Sequence, residues 1–210
     1  MSIEYLEQNV SVERIEDFLN CSLPNGHDFS FSEMYLVSPN SIGNFIAERP
    51  PQRYIERVAI DVKGSRVFAT YTITDDNCDG HIHHPITEKK YPMMPMAIIG
   101  QMMAQGGSIL AINSIDEKSD FKNPSSLRVA LVKNVQEIES RSVRVDHKLK
   151  IFLVPDDTVL IMAELKSARI ATVSCNTTAY LQGKPITIMP LTYEVLSWDA
   201  FARLYERTTS

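Results

Sequence analysis

The chain has 210 residues, 44% of them hydrophobic and 22% charged, with a net charge of −5. That length suits one domain with a sizeable core and some additions, and the acidic balance argues against a nucleic-acid surface. Its three cysteines, Cys21, Cys78 and Cys175, fit no zinc spacing and predict free thiols in a reducing cytoplasm.

Met1-Ser2-Ile3-Glu4 has neither the basic region nor the apolar run of a signal peptide. Residues 11–20 form a short amphipathic pattern with Ser11 as its cap. Residues 21–40 are loop-like, with turn signals at Pro24-Asn25-Gly26 and Pro39-Asn40. A second short helix is predicted from Ser41 to Glu48, stopped by Pro50-Pro51. Strands follow over Tyr54–Val62 and Ser65–Thr74, joined as a hairpin at Lys63-Gly64. Residues 75–92 mix Asp, Asn, Gly, His and Pro and read as a loop.

Residues 96–112 are apolar or small apart from Gln101 and Gln105, and predict a buried helix with Pro95 at its start. The apolar stretch 91–112 contains prolines, glycines and two glutamines, which suits a core helix better than a membrane span. Gly100, Gly106 and Gly107 each cost about 1 kcal/mol inside a helix, a cost that close approach of a surrounding backbone would explain. Further strands are predicted over Leu127–Glu137, His147–Val154, Thr158–Lys166 and Ile170–Leu181, with turns at Pro155-Asp156-Asp157 and Gln182-Gly183. Thr192–Arg207 reads as a final amphipathic helix. One apolar helix between a hairpin and a run of antiparallel strands predicts an α+β fold whose sheet curls around that helix.

Two features carry chemistry. Gly80-His81-Ile82-His83-His84-Pro85 leads toward the helix, and Gln101 and Gln105, four residues apart, share one of its sides. Buried amides need partners, so the two glutamines belong either to an active site or to a structural hydrogen-bond network. The histidine cluster has no cysteine or carboxylate spacing to support a metal site. Cys78 reads as a small buried hydrophobe, and Met93, Met94, Met96, Met102 and Met103 as core and pocket lining.

The order of these motifs resembles the hotdog fold, and within it the 3-hydroxyacyl-[acyl-carrier-protein] dehydratases of the FabA/FabZ type. Pro51-Gln52-Arg53-Tyr54 matches that family's opening Pro-x-Arg-Tyr, and Ile55–Thr74 its two strands around Gly64. Gly80-His81-Ile82 matches Gly-His-Phe, Met94-Pro95-Met96 matches x-Pro-Gly, and Gln101-Met102-Met103-Ala104-Gln105 matches acid-x-x-x-Gln. The likeness covers residues 40–184, leaving 1–39 as an N-terminal extension and 185–210 as a C-terminal helical one. The sequence departs from the family in three places. The acid is Gln101, the glycine after Pro95 is Met96, and several extra residues lie between His81 and Pro95. Aligned forward from the second strand, His81 is the family's histidine; aligned from His83-His84-Pro85, it is His83. The forward alignment needs no gap and is preferred.

The resemblance implies an enzyme of fatty-acid or polyketide biosynthesis that acts on thioesters of acyl carrier protein or coenzyme A. It implies a homodimer or dimer-based oligomer, no cofactor or metal, and no nucleic-acid or membrane partner. The catalytic pair would be His81, as base, and Gln101 of the other protomer. Gly80, His83, Pro95, Met96, Ala97 and Gln105 would form the substrate-binding set. Lys89-Lys90 and Arg141/Arg144 are the candidate basic groups for an acidic carrier. Backbone N–H groups at the helix start would hold the thioester oxygen as enolate charge develops.

Dehydration of a 3-hydroxyacyl thioester needs a base for the α-proton and an acid for the departing hydroxyl. Gln101 donates and accepts hydrogen bonds but exchanges no proton usefully, and loss of a general acid costs about 10²–10⁴-fold. Either His81 makes both transfers, or Asp75, Asp76, Asp79 or Glu88 supplies the acid. Two alternatives stand beside the dehydratase: a hotdog thioesterase with Glu88 or Asp79 activating water, and a non-catalytic hotdog subunit that binds an acyl chain or a catalytic partner.

Overall fold

The computed structural model describes residues 3–209 apart from 28, 45, 47–52, 62–64, 79–85, 88, 116–127, 141–142, 146–147 and 151–152. In chain order the elements are β1 (Ile3–Val10), α1 (Val12–Leu19), β2 (Phe31–Val37), a 3-10 turn at Ile42–Asn44, β3 (Arg57–Asp61) and β4 (Arg66–Thr72). A one-turn α2 (Asp75–Cys78) precedes the long α3 (Met96–Ile115). Then come β5 (Arg128–Val135), β6 (Glu139–Ser140), β7 (Val143–Val145), β8 (Lys148–Lys150), β9 (Thr158–Arg169), β10 (Thr172–Leu181), β11 (Lys184–Ser197) and α4 (Trp198–Thr209).

Among the described residues, nine strands form one antiparallel sheet in the order β1-β2-β3-β4-β9-β10-β11-β5, with β6 beside β11. β7 and β8 make a separate two-stranded hairpin. The β10–β11 turn uses Gln182 and Gly183, both at positive φ (47° and 71°), which matches the right-handed twist of a tight hairpin. α3 packs against β4, β9, β10, β11 and β5, so the sheet curls around it as the sequence pattern predicts.

Around β4, β9 and β10 the sheet is buried on both faces, and strand periodicity separates two cores. Val67 and Ala69 of β4, Val159, Ile161 and Ala163 of β9, and Val173 and Cys175 of β10 point inward to α3. The alternate residues Phe68, Leu160, Met162 and Tyr180 point outward, where Ile15 and Leu19 of α1 cover them. Ser11 caps α1 as expected, its hydroxyl accepting from Arg14 N–H. At the other end, the sheet satisfies α1's last carbonyls: Arg57 Nη1 donates to Phe18 O (2.7 Å) and Thr70 Oγ1 to Leu19 O (3.2 Å).

Three expectations change. β2 lies within residues 21–40, which read as a loop, and β1 pairs with it where the sequence predicts no element; Leu36 faces the outer core and Val37 the inner one. Among the described residues of Ser41–Glu48 there is a short 3-10 turn at Ile42–Asn44 rather than an α-helix. The helix expected from Thr192 begins at Trp198, because Lys184–Ser197 is a strand between β10 and β5. Tyr193 and Val195 alternate into the core there, and Ser197 Oγ then caps α4 by accepting from Ala200 N–H.

Candidate functional site

α3 is apolar on nearly every side because sheet surrounds it. Gly106 and Gly107 make that packing fit. A Cβ on Gly106 would lie 2.9 Å from Ile161 Cγ2, and one on Gly107 would meet the ring of Tyr193. The close approach is therefore to side chains of β9 and β11, not to backbone. Gly100 has no such neighbour.

Pro95 stands half-buried at the helix entrance, and its carbonyl accepts from Ile98 N–H at 3.0 Å. Beyond it, Ala97, Gly100, Gln101 and Ala104 form one wall of a groove of about 590 Å³. Val132 and Val135 of β5, Ile138, and Ser140 of β6 face them. Thr187, Met189 and Leu191 of β11 complete the lining. Gln101 is exposed and is the polar side chain that the helix presents to this space.

Val132 and Val135 share the groove because β5 is irregular between them. Tyr193 pairs with Val132 and Thr192 with Asn134, so Lys133 is an extra residue on β5. Such a bulge shifts the alternation of side chains by one position. Without it, residues three apart would face opposite sides of the sheet.

Gln105 takes a different place from Gln101. It is buried, lies outside the groove lining, and its Oε1 accepts from Tyr54 N–H at 3.0 Å. It ties the segment entering β3 to the central helix. Tyr54 in turn meets Tyr71 edge-on, with ring centroids 5.8 Å apart.

The segment that carries the histidines begins from a fixed turn. Asn77 Oδ1 accepts from Tyr71 Oη (2.6 Å), Thr74 Oγ1 (2.9 Å) and Thr74 N–H (3.1 Å). Burial raises the Tyr71 hydroxyl above its ordinary range, against the hydrogen bond to Asn77. Both ends of residues 74–94 are held by one short stretch, Leu153–Asp157. Ile73 N–H donates to Asp157 O, Asp156 N–H donates to Ile73 O, and Met94 N–H donates to Leu153 O. Asp157 Oδ2 closes that stretch by accepting from Val154 N–H.

Gly80, His81, His83, His84, Asp79 and Glu88 lie outside the described residues, as do the side chains of Met96 and Arg144 and all of Arg141. Asp75 and Asp76 are exposed on α2. Cys78 is buried, and burial followed by the nearby Asp75 and Asp157 raises its thiol pKa, so it is no ready nucleophile. The second wall of the groove, from Val132 to Leu191, is the part that sequence reading does not find. Its one signal is the pair of apolar residues at an irregular spacing in β5.

No helix among the described residues is long and apolar enough to cross a membrane. No protein-family model matches the chain, and no curated protein sequence matches it. Solved structures do. The dehydratase heterocomplex ApeI:P from Xenorhabdus doucetiae superposes with a TM-score of 0.56 at 13% identity, over 78% of this chain and 96% of that one. The fluoroacetyl-CoA thioesterase FlK is a weaker match, with a TM-score of 0.49 at 13% identity over 70% and 96% of the two chains. A hypothetical protein of Thermus thermophilus, a thioesterase superfamily member, gives 0.47 at 13% over 70% and 91%. The first likeness and the antiparallel sheet wrapped around α3 establish an α+β protein of the hotdog fold.

Proposed function

We propose that the protein acts on acyl thioesters, carried by acyl carrier protein or coenzyme A, as a 3-hydroxyacyl dehydratase-like enzyme of fatty-acid or polyketide assembly. The observation that carries this reading is the groove along α3, apolar in most of its lining, with the Gln101 amide exposed to it. An acyl chain suits the apolar walls, and an amide suits a thioester carbonyl or the 3-hydroxyl. His81 is the base, with Gly80 and His83 beside it. Pro95, Met96 and Ala97 form the helix entrance that receives the thioester oxygen. Gln105 acts as a positioning residue through Tyr54.

The working unit is a homodimer in which His81 of one protomer faces Gln101 of its partner. Support comes from β5. It ends the sheet among the described residues, and Val132 and Val135 are exposed on it. An outer strand with exposed apolar side chains invites pairing with another chain.

The amide at position 101 favours a second reading, a non-catalytic hotdog subunit that joins an active partner. The resembling Xenorhabdus dehydratase is itself a heterocomplex.

Mass spectrometry of a 3-hydroxyacyl thioester incubated with the protein, with His81→Ala and with Gln101→Glu separates these readings. Loss of water that requires His81, and that Gln101→Glu accelerates, is the expected result. Release of free acid would make the protein a thioesterase. An unchanged substrate, even with Gln101→Glu, would move the assignment to the non-catalytic subunit.

A further inference from the structure

We infer that Gly100 sets the length of the aliphatic chain that the α3 groove accepts. The substrate class rests on the acyl-thioester reading above, while the inference itself stands on the shape of the groove.

Glycine weakens a helix relative to alanine, so each glycine in α3 calls for a reason. Gly106 and Gly107 have theirs in Ile161 and Tyr193. Gly100 has no such reason in the packing, because a Cβ built there meets no heavy atom of the described residues within 4 Å. Its φ is not in the left-handed region either. What borders Gly100 is the groove of about 590 Å³. Glycine at this position leaves open a volume that any longer side chain would fill, and it does so at no benefit to the fold.

The walls beside it define the occupant. The lining is mainly aliphatic and thioether carbon, its polar groups are the neutral Gln101, Ser140 and Thr187, and no charged side chain lines it among the described residues. A phosphate group seated inside the groove would lack a cation there, and a sugar would lack partners for most of its hydroxyls. A straight hydrocarbon chain needs only the apolar wall, and Met189 can adjust to it. The volume falls within the roughly 300–1,000 Å³ typical of small-ligand sites. A larger residue at position 100 would extend into groove space, and its Cβ would displace no atom of the described residues. It would shorten the chain that fits and leave the fold intact.

The test uses straight-chain carboxylates from butanoate to tetradecanoate as probes, with calorimetry on the full chain, Gly100→Ala and Gly100→Leu. The matching coenzyme A thioesters are run in parallel, and circular dichroism checks each variant. For the unmodified chain, affinity should rise about fourfold per methylene up to a limit. Gly100→Leu should move that limit several carbons shorter, and Gly100→Ala, which introduces a better helix former, should move it about one carbon in the same direction. Carboxylate binding with no length dependence, no carboxylate binding at all, or the same limit in both variants would overturn the inference. Length-dependent carboxylate binding without thioester binding would uphold the role of Gly100 and overturn the thioester reading.

Discussion

The Tyr193 hydroxyl donates to the main-chain carbonyl of Ala104 across 2.7 Å, and the same ring fills the space that a side chain at Gly107 would need. Strand β11 thus fixes both the position and the rotation of the central helix. Gly107→Ala gains up to about 1 kcal/mol in helix propensity but forces a buried ring to shift, at a cost of about 1–3 kcal/mol. Net destabilisation is expected, read as a lower urea midpoint at an unchanged slope. Gly100→Ala meets open space and should raise the midpoint. If the two alanines behave alike, the close contact between β11 and α3 is not as described.

Gln105 is worth more to the fold than Gln101. Gln105→Leu removes the acceptor of Tyr54 N–H, and an unsatisfied donor in a half-buried site costs about 1–3 kcal/mol. Gln101→Leu, at an exposed groove position, should stay within about 0.5 kcal/mol of the parent protein. Chemical denaturation of the two variants checks the ranking, and equal losses would contradict it.

Alkali should destabilise the protein through its thiols. Burial pushes Cys175 up to about 12, and burial with Glu16 nearby pushes Cys21 up to about 11, against about 9 for a free thiol. Between pH 9 and 12 the unfolded chain therefore binds fewer protons than the folded one. Stability is fully present below pH 9 and falls as pH rises through that window. Unfolding midpoints measured from pH 8 to pH 11 should decline, and Cys175→Ala should flatten part of the decline. At pH 8 a thiol reagent should label the folded protein far more slowly than the denatured one.

The α1 layer belongs to the same cooperative unit as the inner core. Leu19 is the buried last residue of α1, packed onto the outer face of the sheet, and its carbonyl is held by Thr70 of β4. Leu19→Ala should cost about 2–5 kcal/mol, comparable with Ile161→Ala beside α3. Thermal unfolding of both variants should remain a single transition at lower temperature. A Leu19→Ala protein with an unchanged main transition would mean that the outer layer unfolds by itself.

The sequence makes α3, the β3–β4 hairpin and strands β9 and β10 legible, because long apolar runs and tight turn signals dominate there. Ser11 is legible as a cap for the same local reason. β2 is masked by the turn residues on either side of it, and its apolar residues divide between two cores rather than marking one face. β11 is harder. Val195, Leu196 and Trp198 mimic helical spacing, yet pairing on both edges holds the chain extended to Ser197. Gln101 and Ala97, singled out in the sequence by the motif on the helix, both line the groove. The facing wall is not, since it depends on the extra Lys133 in β5, and bulges leave no reliable trace in residue pattern.

The stretch Leu153–Asp157 holds both ends of the segment that bears the histidines, like a clasp on a cord. With the ends fixed, added length costs little: doubling a flexible connection raises its closure cost by only about 0.6 kcal/mol. Such an arrangement is permissive toward inheritance of change. Residues can be gained, lost or exchanged between the two anchors while the sheet and α3 keep their registration. The residues that follow His81 lie between these two anchors, where added length is tolerated in this way.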